Sequence, residues 1–223
     1  NTQIYGSTPY IVREKDDKTL FDVRDAYKEQ LIQGVLIRNL ESLAILKDSI
    51  AKKDLELDYG VYAWNHEALN LLSGKASGIC LPVELNKGEW EELITYGKQK
   101  MRLSAVVYGR LPMMITANCL QKTSDGCCGK SGTVMLKDRY GKEFPVYHDC
   151  RHCYNIVYNS VPLSLHRAFS EELQEALHCR LDFTLETAKE CLKVTEYFQK
   201  ISVQYEDPFY SEYTTGHYKR GVE

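Results

Sequence analysis

Gly34-Val35-Leu36-Ile37-Arg38 is a short apolar run that ends on a charge, and it leads into a segment, residues 39–52, with Leu40, Leu43, Ala44 and Ile50 on one helical face. This strand-then-helix couplet decides the fold, because it recurs on both sides. TPYIV (8–12) reads as a strand before a helix over 17–33. Residues 55–62 read as a strand before a helix over 65–73, where Ala68, Leu69, Leu71 and Leu72 are apolar. SGICLPVEL (77–85) precedes a helix over 87–98 that carries Trp90, Leu93 and Ile94, and LSAVVY (103–108) closes the run. Strands that are continuously apolar are buried on both faces, and a helix after each returns the chain to the same end, so the strands are parallel.

About five such units, with neither GxGxxG nor GxxxxGK[ST], predict an α/β fold: part of a TIM-like (β/α) barrel rather than a nucleotide-binding open sheet. Five strands do not close an eight-stranded barrel. The remaining strands are therefore expected from an N-terminal remainder of the same polypeptide or from another chain. An opening Asn, with strand-like sequence almost at once, agrees with a piece of a longer protein. The expected organisation is the C-terminal part of a barrel over 1–118, a Cys-rich metal- or cluster-binding segment over 119–168, and C-terminal helices with a basic aromatic tail over 169–223. The helices read over 170–178, with Ser170 as N-cap and Cys179 at the helix end, and over 184–200.

The net charge of −3 over 223 residues gives no global pull toward nucleic acid or a membrane surface, so any RNA contact has to be a local basic patch. No apolar run approaches the length of a membrane span. Five of the eight cysteines fall between positions 119 and 153. Cysteines this clustered beside a CxxC predict metal ligation in a reducing compartment, the cytoplasm, over redox-active thiols or disulfides.

Cys150 and Cys153 form the CxxC, whose spacing lets two sulfurs reach one metal from a single turn. Cys127 and Cys128 lie in the glycine-flanked stretch KTSDGCCGKSG (122–132), where backbone N–H groups favour thiolates; adjacent cysteines seldom both bind one ion. With Cys119 the set offers four sulfurs, which suit Zn or an iron–sulfur cluster, and His148 or His152 is near enough to replace one. The plainer alternative is a zinc knuckle that pins a hairpin, read over 133–146 with its turn at 138–141. Cys80, Cys179 and Cys191 sit among apolar neighbours and read as small buried residues.

Polar residues at strand ends form a second constellation: Arg38 and Asn39, Trp64 and Asn65, Glu84, then Tyr108 and Arg110. In a barrel these ends converge on the face where active sites form. Glu84, Arg110 and Tyr108 are the candidate catalytic residues, with Glu84 opposite arginines suited to acid–base work on a polar or anionic substrate. Alternatively, Glu84 and Arg110 make a structural ion pair. Arg38, Asn39 and Asn65 are candidate binding residues, as are His217, Lys219 and Arg220 on the tail, which read equally well as a solvated end or as a phosphate contact.

At GVLIRNLESL, YAWNHEALNLL, LPVELNKGEWEEL and above all VVYGRLPMMITANC, the chain resembles the collagenase-like peptidase family U32, as the C-terminal portion of a long-form member. LKDRYGKEFPV, YNSVPLSL, LDFTLETAKE and TTGHYKRGV extend the likeness in the family's order. The resemblance implies a TIM-like barrel and a cysteine-bound [4Fe–4S] cluster. It also implies oxygen-independent hydroxylation of RNA bases (ribosomal or transfer RNA) or of a quinone ring, with prephenate, an anion, as a candidate oxygen donor for Arg38 and Arg110.

Carried over by that resemblance, Cys119 matches the cysteine after the GR turn, and Cys127 or Cys128 the one after the glycine-rich loop. Pro112 stands where the family has a further ligand, and the later cysteine is replaced within NSVPLSL; Cys150 and Cys153 fill both places. Two alternatives remain beside the hydroxylase: a metal- or cysteine-dependent peptidase of collagen-like or unfolded chains, and a non-catalytic zinc-stapled RNA-binding module. No HExxH and no evident Ser/His/Asp arrangement favours proteolysis.

Overall fold

The computed structural model describes residues 2–13, 17–124, 126, 129–168, 171–201 and 205–222. Its contacts divide the chain into two units: Asn1–Val106 with Arg167–Arg180 and Thr215–Glu223, and Val107–His166 with Leu181–Thr214.

The first unit is mixed α/β. Its strands are β1 (Tyr5–Ser7), β2 (Gly34–Ile37), β3 (Leu55–Leu57), β4 (Gly78–Cys80) and the first part of β5 (Arg102–Gly109). They pair in chain order and all in parallel, as a curled sheet of half-barrel form. Helices α1 (Asp17–Lys28), α2 (Leu40–Leu46), α3 (His66–Ser73) and α4 (Lys87–Gly97) follow the first four strands. Val35, Ile37, Leu55, Leu57 and Ile79 are wholly buried, each burial stabilising the fold by about 1.5–3 kcal/mol. Leu43, Leu46, Leu69, Leu72, Trp90 and Leu93 supply the buried faces of the helices.

Asparagines start three of these helices. Asn39 accepts from Ser42 N, Asn65 from Ala68 N, and Asn86 from Glu89 N while Glu89 reaches back to Asn86 N in a capping box.

Several expected boundaries shift, each for a local reason. The first strand is Tyr5–Ser7 rather than 8–12. Pro9 has no N–H to give a ladder, and the Pro9 and Tyr10 carbonyls accept instead from Asn39 Nδ2. The strand expected over 55–62 ends at Leu57, because the Asp58 side chain caps a 3-10 turn, Tyr59–Val61, and Tyr62 turns left-handed at φ 57°. The strand expected over 77–85 stops at Cys80, shortly before Pro82. α1 and α2 are shorter than their periodicity implies; Gln30, at φ 60°, follows the first.

The second unit contains a four-stranded antiparallel sheet in the order β6-β9-β8-β7, made of β6 (Pro112–Thr116), β7 (Gly132–Lys137), β8 (Glu143–Asp149) and β9 (Tyr154–Tyr158). β7 and β8 are the expected hairpin, turning at 138–141. A short helix α5 (Leu120–Ser124) follows β6. The end of β5 pairs antiparallel with β10 (Leu163–Ser164). The helix expected over 170–178 is α6 (Glu171–Ala176), in the first unit, and the Ser170 cap expected for it lies outside the described residues. The chain then enters a strand, β11 (His178–Asp182), so Cys179 is a strand residue rather than a helix end. α7 (Ala188–Ile201) begins at a Thr187–Glu190 capping pair rather than at 184, and buries Val194, Tyr197, Phe198 and Ile201.

Among the described residues no helix is long and apolar enough to cross a membrane.

Candidate functional site

In the first unit the strand ends carry a cluster of charge that is only partly visible in the sequence. Asp58, directly after β3, is 1% exposed. Its Oδ2 accepts from Arg38 Nε at 3.3 Å, and its Oδ1 accepts from Arg180 Nη1 at 2.7 Å and from Tyr59 N at 2.9 Å. Two guanidinium groups therefore converge on one buried carboxylate at the C-terminal ends of β2 and β3. Their side chains keep 22% and 19% exposure. Arg38 also lies 4.2 Å over the Tyr10 ring, and Arg180 5.6 Å over Tyr59. Arg38 N is fixed to Thr8 Oγ1, so the backbone that presents this guanidinium is tied to the neighbouring strand end.

The loop after β4 brings in Glu84. Its Oε1 accepts from Tyr62 Oη at 3.3 Å, while Oε2 is buried with no hydrogen-bond partner among the described residues. Burial raises the Tyr62 phenol above its usual range, and the Glu84 charge and hydrogen bond add to the shift. Tyr62 and Trp64 are both exposed, with ring centroids 6.5 Å apart and planes 17° from parallel. The partner of Glu84 is thus a tyrosine; among the described residues it has no arginine pair.

Asn39 is occupied at both ends by the α2 cap and the 9–10 carbonyls, and Asn65 caps α3. Both shape the rim by holding helix starts. The tail docks on the same unit: Lys87 N donates to Tyr218 O, the Tyr218 ring meets Trp90 edge-on at 5.1 Å, and His217 Nδ1 lies 2.9 Å from Gly221 O. This leaves Lys219 and Arg220 exposed next to the start of α4, close in sequence to Glu84.

Arg110 and Tyr108 belong to the second unit. Arg110 Nη1 donates to the carbonyls of Asn159 and Ser160, and Tyr108, 5% exposed, donates to Glu186 Oε1 at 3.4 Å. Ser164 Oγ lies 2.8 Å from His166 Nδ1 and 2.6 Å from Tyr210 Oη, a serine–histidine pairing between near neighbours in the chain. Both residues are 1% exposed beneath Tyr197, Tyr205, Tyr210 and Tyr213, which closes the pair to a peptide substrate.

In the CxxC turn, Asp149 Oδ1 accepts from Arg151 N and His152 N, and Oδ2 lies 2.9 Å from His152 Nδ1. Burial opposes the charge on Asp149, yet the hydrogen bonds from His152 and Arg151 outweigh it and hold the carboxyl below its usual range. Cys150 Sγ is directed at Lys130 O (3.2 Å) and Cys153 Sγ at Cys150 O (3.8 Å). Cys127 and Cys128 lie outside the described residues, and among those described no group of three or more His, Cys, Asp or Glu side chains is placed to hold a metal ion. Cys119, Cys150 and Cys153 therefore do not by themselves make a ligand set. The six described cysteines form no disulfide. Cys80 is buried, whereas Cys179 and Cys191 are half-buried; burial pushes the Cys179 thiol up to about 11, which makes it unreactive.

A cavity of about 440 Å³ lies at the opposite, N-terminal end of β5, lined by Lys98, Met101, Arg102, Gln174, Leu177 and His178 among others. In barrel architectures that end serves stability rather than chemistry.

No protein family, curated protein or solved structure matches this chain.

Asp58, Tyr62 and Arg180 are the site residues that the sequence reading missed. Asp58 follows an apolar strand in the same way Arg38 does, and drawing that strand through residue 62 hid it. Arg180 stands 122 positions from Asp58 and carries no local signal.

Proposed function

We propose that the chain is the C-terminal part of an oxygen-independent RNA hydroxylase of the U32 peptidase type, with a TIM-like barrel completed by the N-terminal remainder of the polypeptide. The observation that carries it is the pair of guanidinium groups, Arg38 and Arg180, gathered on buried Asp58 at the strand ends. Such a site suits a small anionic oxygen donor, with prephenate the candidate that the resemblance supplies.

Arg38 and Arg180 anchor the donor's carboxylates, and Asp58 fixes both guanidiniums. Glu84 offers a carboxylate whose Oε2 lacks a hydrogen-bond partner among the described residues, fit to accept an N–H or O–H from substrate. Tyr62 and Trp64 give ring faces for a base, and Lys219 and Arg220, on the tail that docks at the start of α4, are exposed to meet phosphates. Within the second unit, Tyr108 is held by Glu186 and Arg110 by the 159–160 carbonyls.

A [4Fe–4S] cluster, by resemblance, would draw on Cys119, Cys150 and Cys153 with Cys127 or Cys128, and would supply electron transfer. The described cysteines alone do not form that set, so no step is routed through it. A cytoplasmic location suits thiols kept reduced.

Nucleoside mass spectrometry of total RNA from a strain lacking the protein tests the reading. One nucleoside carrying an added oxygen should disappear. RNA with an unchanged nucleoside profile would rule it out.

A further inference from the structure

The β7–β8 hairpin ends in a tip whose geometry is fixed from within. Asp138 Oδ1 accepts from Tyr140 N at 2.8 Å and from Lys142 N at 2.9 Å. Asp138 N donates to Lys142 O at 2.9 Å, and Gly141 N donates to Asp138 O at 3.1 Å. Gly141 takes φ +82°, the left-handed residue that lets a type I turn close a hairpin. Bound this way, the turn thrusts Arg139 and Tyr140 outward. The Arg139 guanidinium lies 4.7 Å over the Tyr140 ring, and that ring is 76% exposed. Lys137 and Lys142 flank the pair, both exposed, and none of Lys137, Arg139 and Lys142 joins an ion pair among the described residues. Residues 137–142 thus hold three cations against one carboxylate, on a chain whose net charge is −3.

We infer that this tip is a contact site for single-stranded RNA. Lys137, Arg139 and Lys142 meet consecutive phosphates, and Tyr140, braced by Arg139, stacks against one base. A rigid aromatic among cations is the chemistry that non-sequence-specific single-strand binding uses, because every base has a π-face and every linker a charge. The apolar residues Val134, Met135 and Leu136 run along β7 behind the tip and would serve a protein partner, but the charge and the exposed ring lie beyond them, where a phosphate chain is the complement. RNA is the partner this inference shares with the proposed hydroxylase; the tip carries it alone, and binding is read apart from hydroxylation.

The test is fluorescence anisotropy of the full chain with a labelled, mixed-sequence single-stranded RNA, across a salt series, with sedimentation of the same samples. Tyr140→Ala should weaken binding about tenfold and Tyr140→Phe should not, because the ring face rather than the hydroxyl does the stacking. Arg139→Gln and Lys142→Gln should weaken binding of all sequences alike, and each should flatten the salt dependence by about 0.7 in the log–log slope. Wild-type affinity in all these variants would overturn the inference. So would a chain that binds no RNA but self-associates through the hairpin, which would assign the face to a second copy.

Discussion

Asp58 is the residue on which the rim depends. Its carboxylate is buried and holds two guanidiniums together, so Asp58→Ala leaves two like charges facing each other without a mediator. The chain should lose about 3 kcal/mol in urea unfolding, whereas Asp58→Asn, which can still cap the Tyr59 turn, should lose less. Asp149 makes a pH prediction. Its folded carboxyl is held below the ordinary value near 4, so its contribution is complete above about pH 4 and disappears as pH falls through the lower folded value. Acid titration of stability should therefore be shallower in Asp149→Asn than in wild type below about pH 4, by circular dichroism. Legibility at this scale followed chain distance. Arg38 could be read because it follows an apolar strand directly, and Glu84 because it lies at the end of the apolar run 77–85; Arg180 could not, because only the fold brings it to Asp58.

Among the elements, the alternation of parallel strand and helix was legible throughout the first unit, since burial on both faces leaves continuous apolar runs such as 34–37 and 103–108. Strand lengths were not: the Asp58 cap ends β3 and Pro82 follows β4 closely, and a cap looks like any polar residue until its backbone partner is known. The β7–β8 hairpin was legible from its Asp-x-x-Gly turn. Gly109 marks a point where only glycine serves. Its φ is +143°, and an added Cβ would collide with Asp182 O. Gly109→Ala should therefore fold poorly or lose several kcal/mol in chemical unfolding, by strain and by displacement of that backbone.

The tyrosine cluster of the second unit gives an alkaline counterpart to Asp149. Burial is the leading cause that raises the Tyr108 and Tyr197 phenols, and it pushes Tyr210 up to about 12, partly offset by the Ser164 hydrogen bond. Phenols raised in the folded state stabilise fully below their unfolded value near 10, and that stability is lost as pH rises through the folded values. Melting temperature should fall above about pH 10, and less steeply in Tyr210→Phe.

At the scale of the whole molecule, a half-barrel unit presents charge at its strand ends, and a second unit carries Cys119, Cys150, Cys153 and the basic hairpin. The acidic overall charge gave no sign of an RNA partner; the RNA contact inferred above rests on the local pattern of 137–142. The sulfur ligand set was the least legible part, because spacing establishes which cysteines lie near one another in sequence and leaves open whether their sulfurs meet. Anaerobic reconstitution with iron and sulfide should yield about four irons per chain if that set assembles; stoichiometric zinc alone would contradict it.

The most direct measurement is complementation of the deletion strain, read by nucleoside mass spectrometry of its RNA. If the barrel rim carries the hydroxylation, wild type restores a nucleoside with one added oxygen. Glu84→Gln and Arg38→Gln, accumulating to the same level, do not. Full restoration by both variants, or no nucleoside that depends on the protein at all, would contradict it.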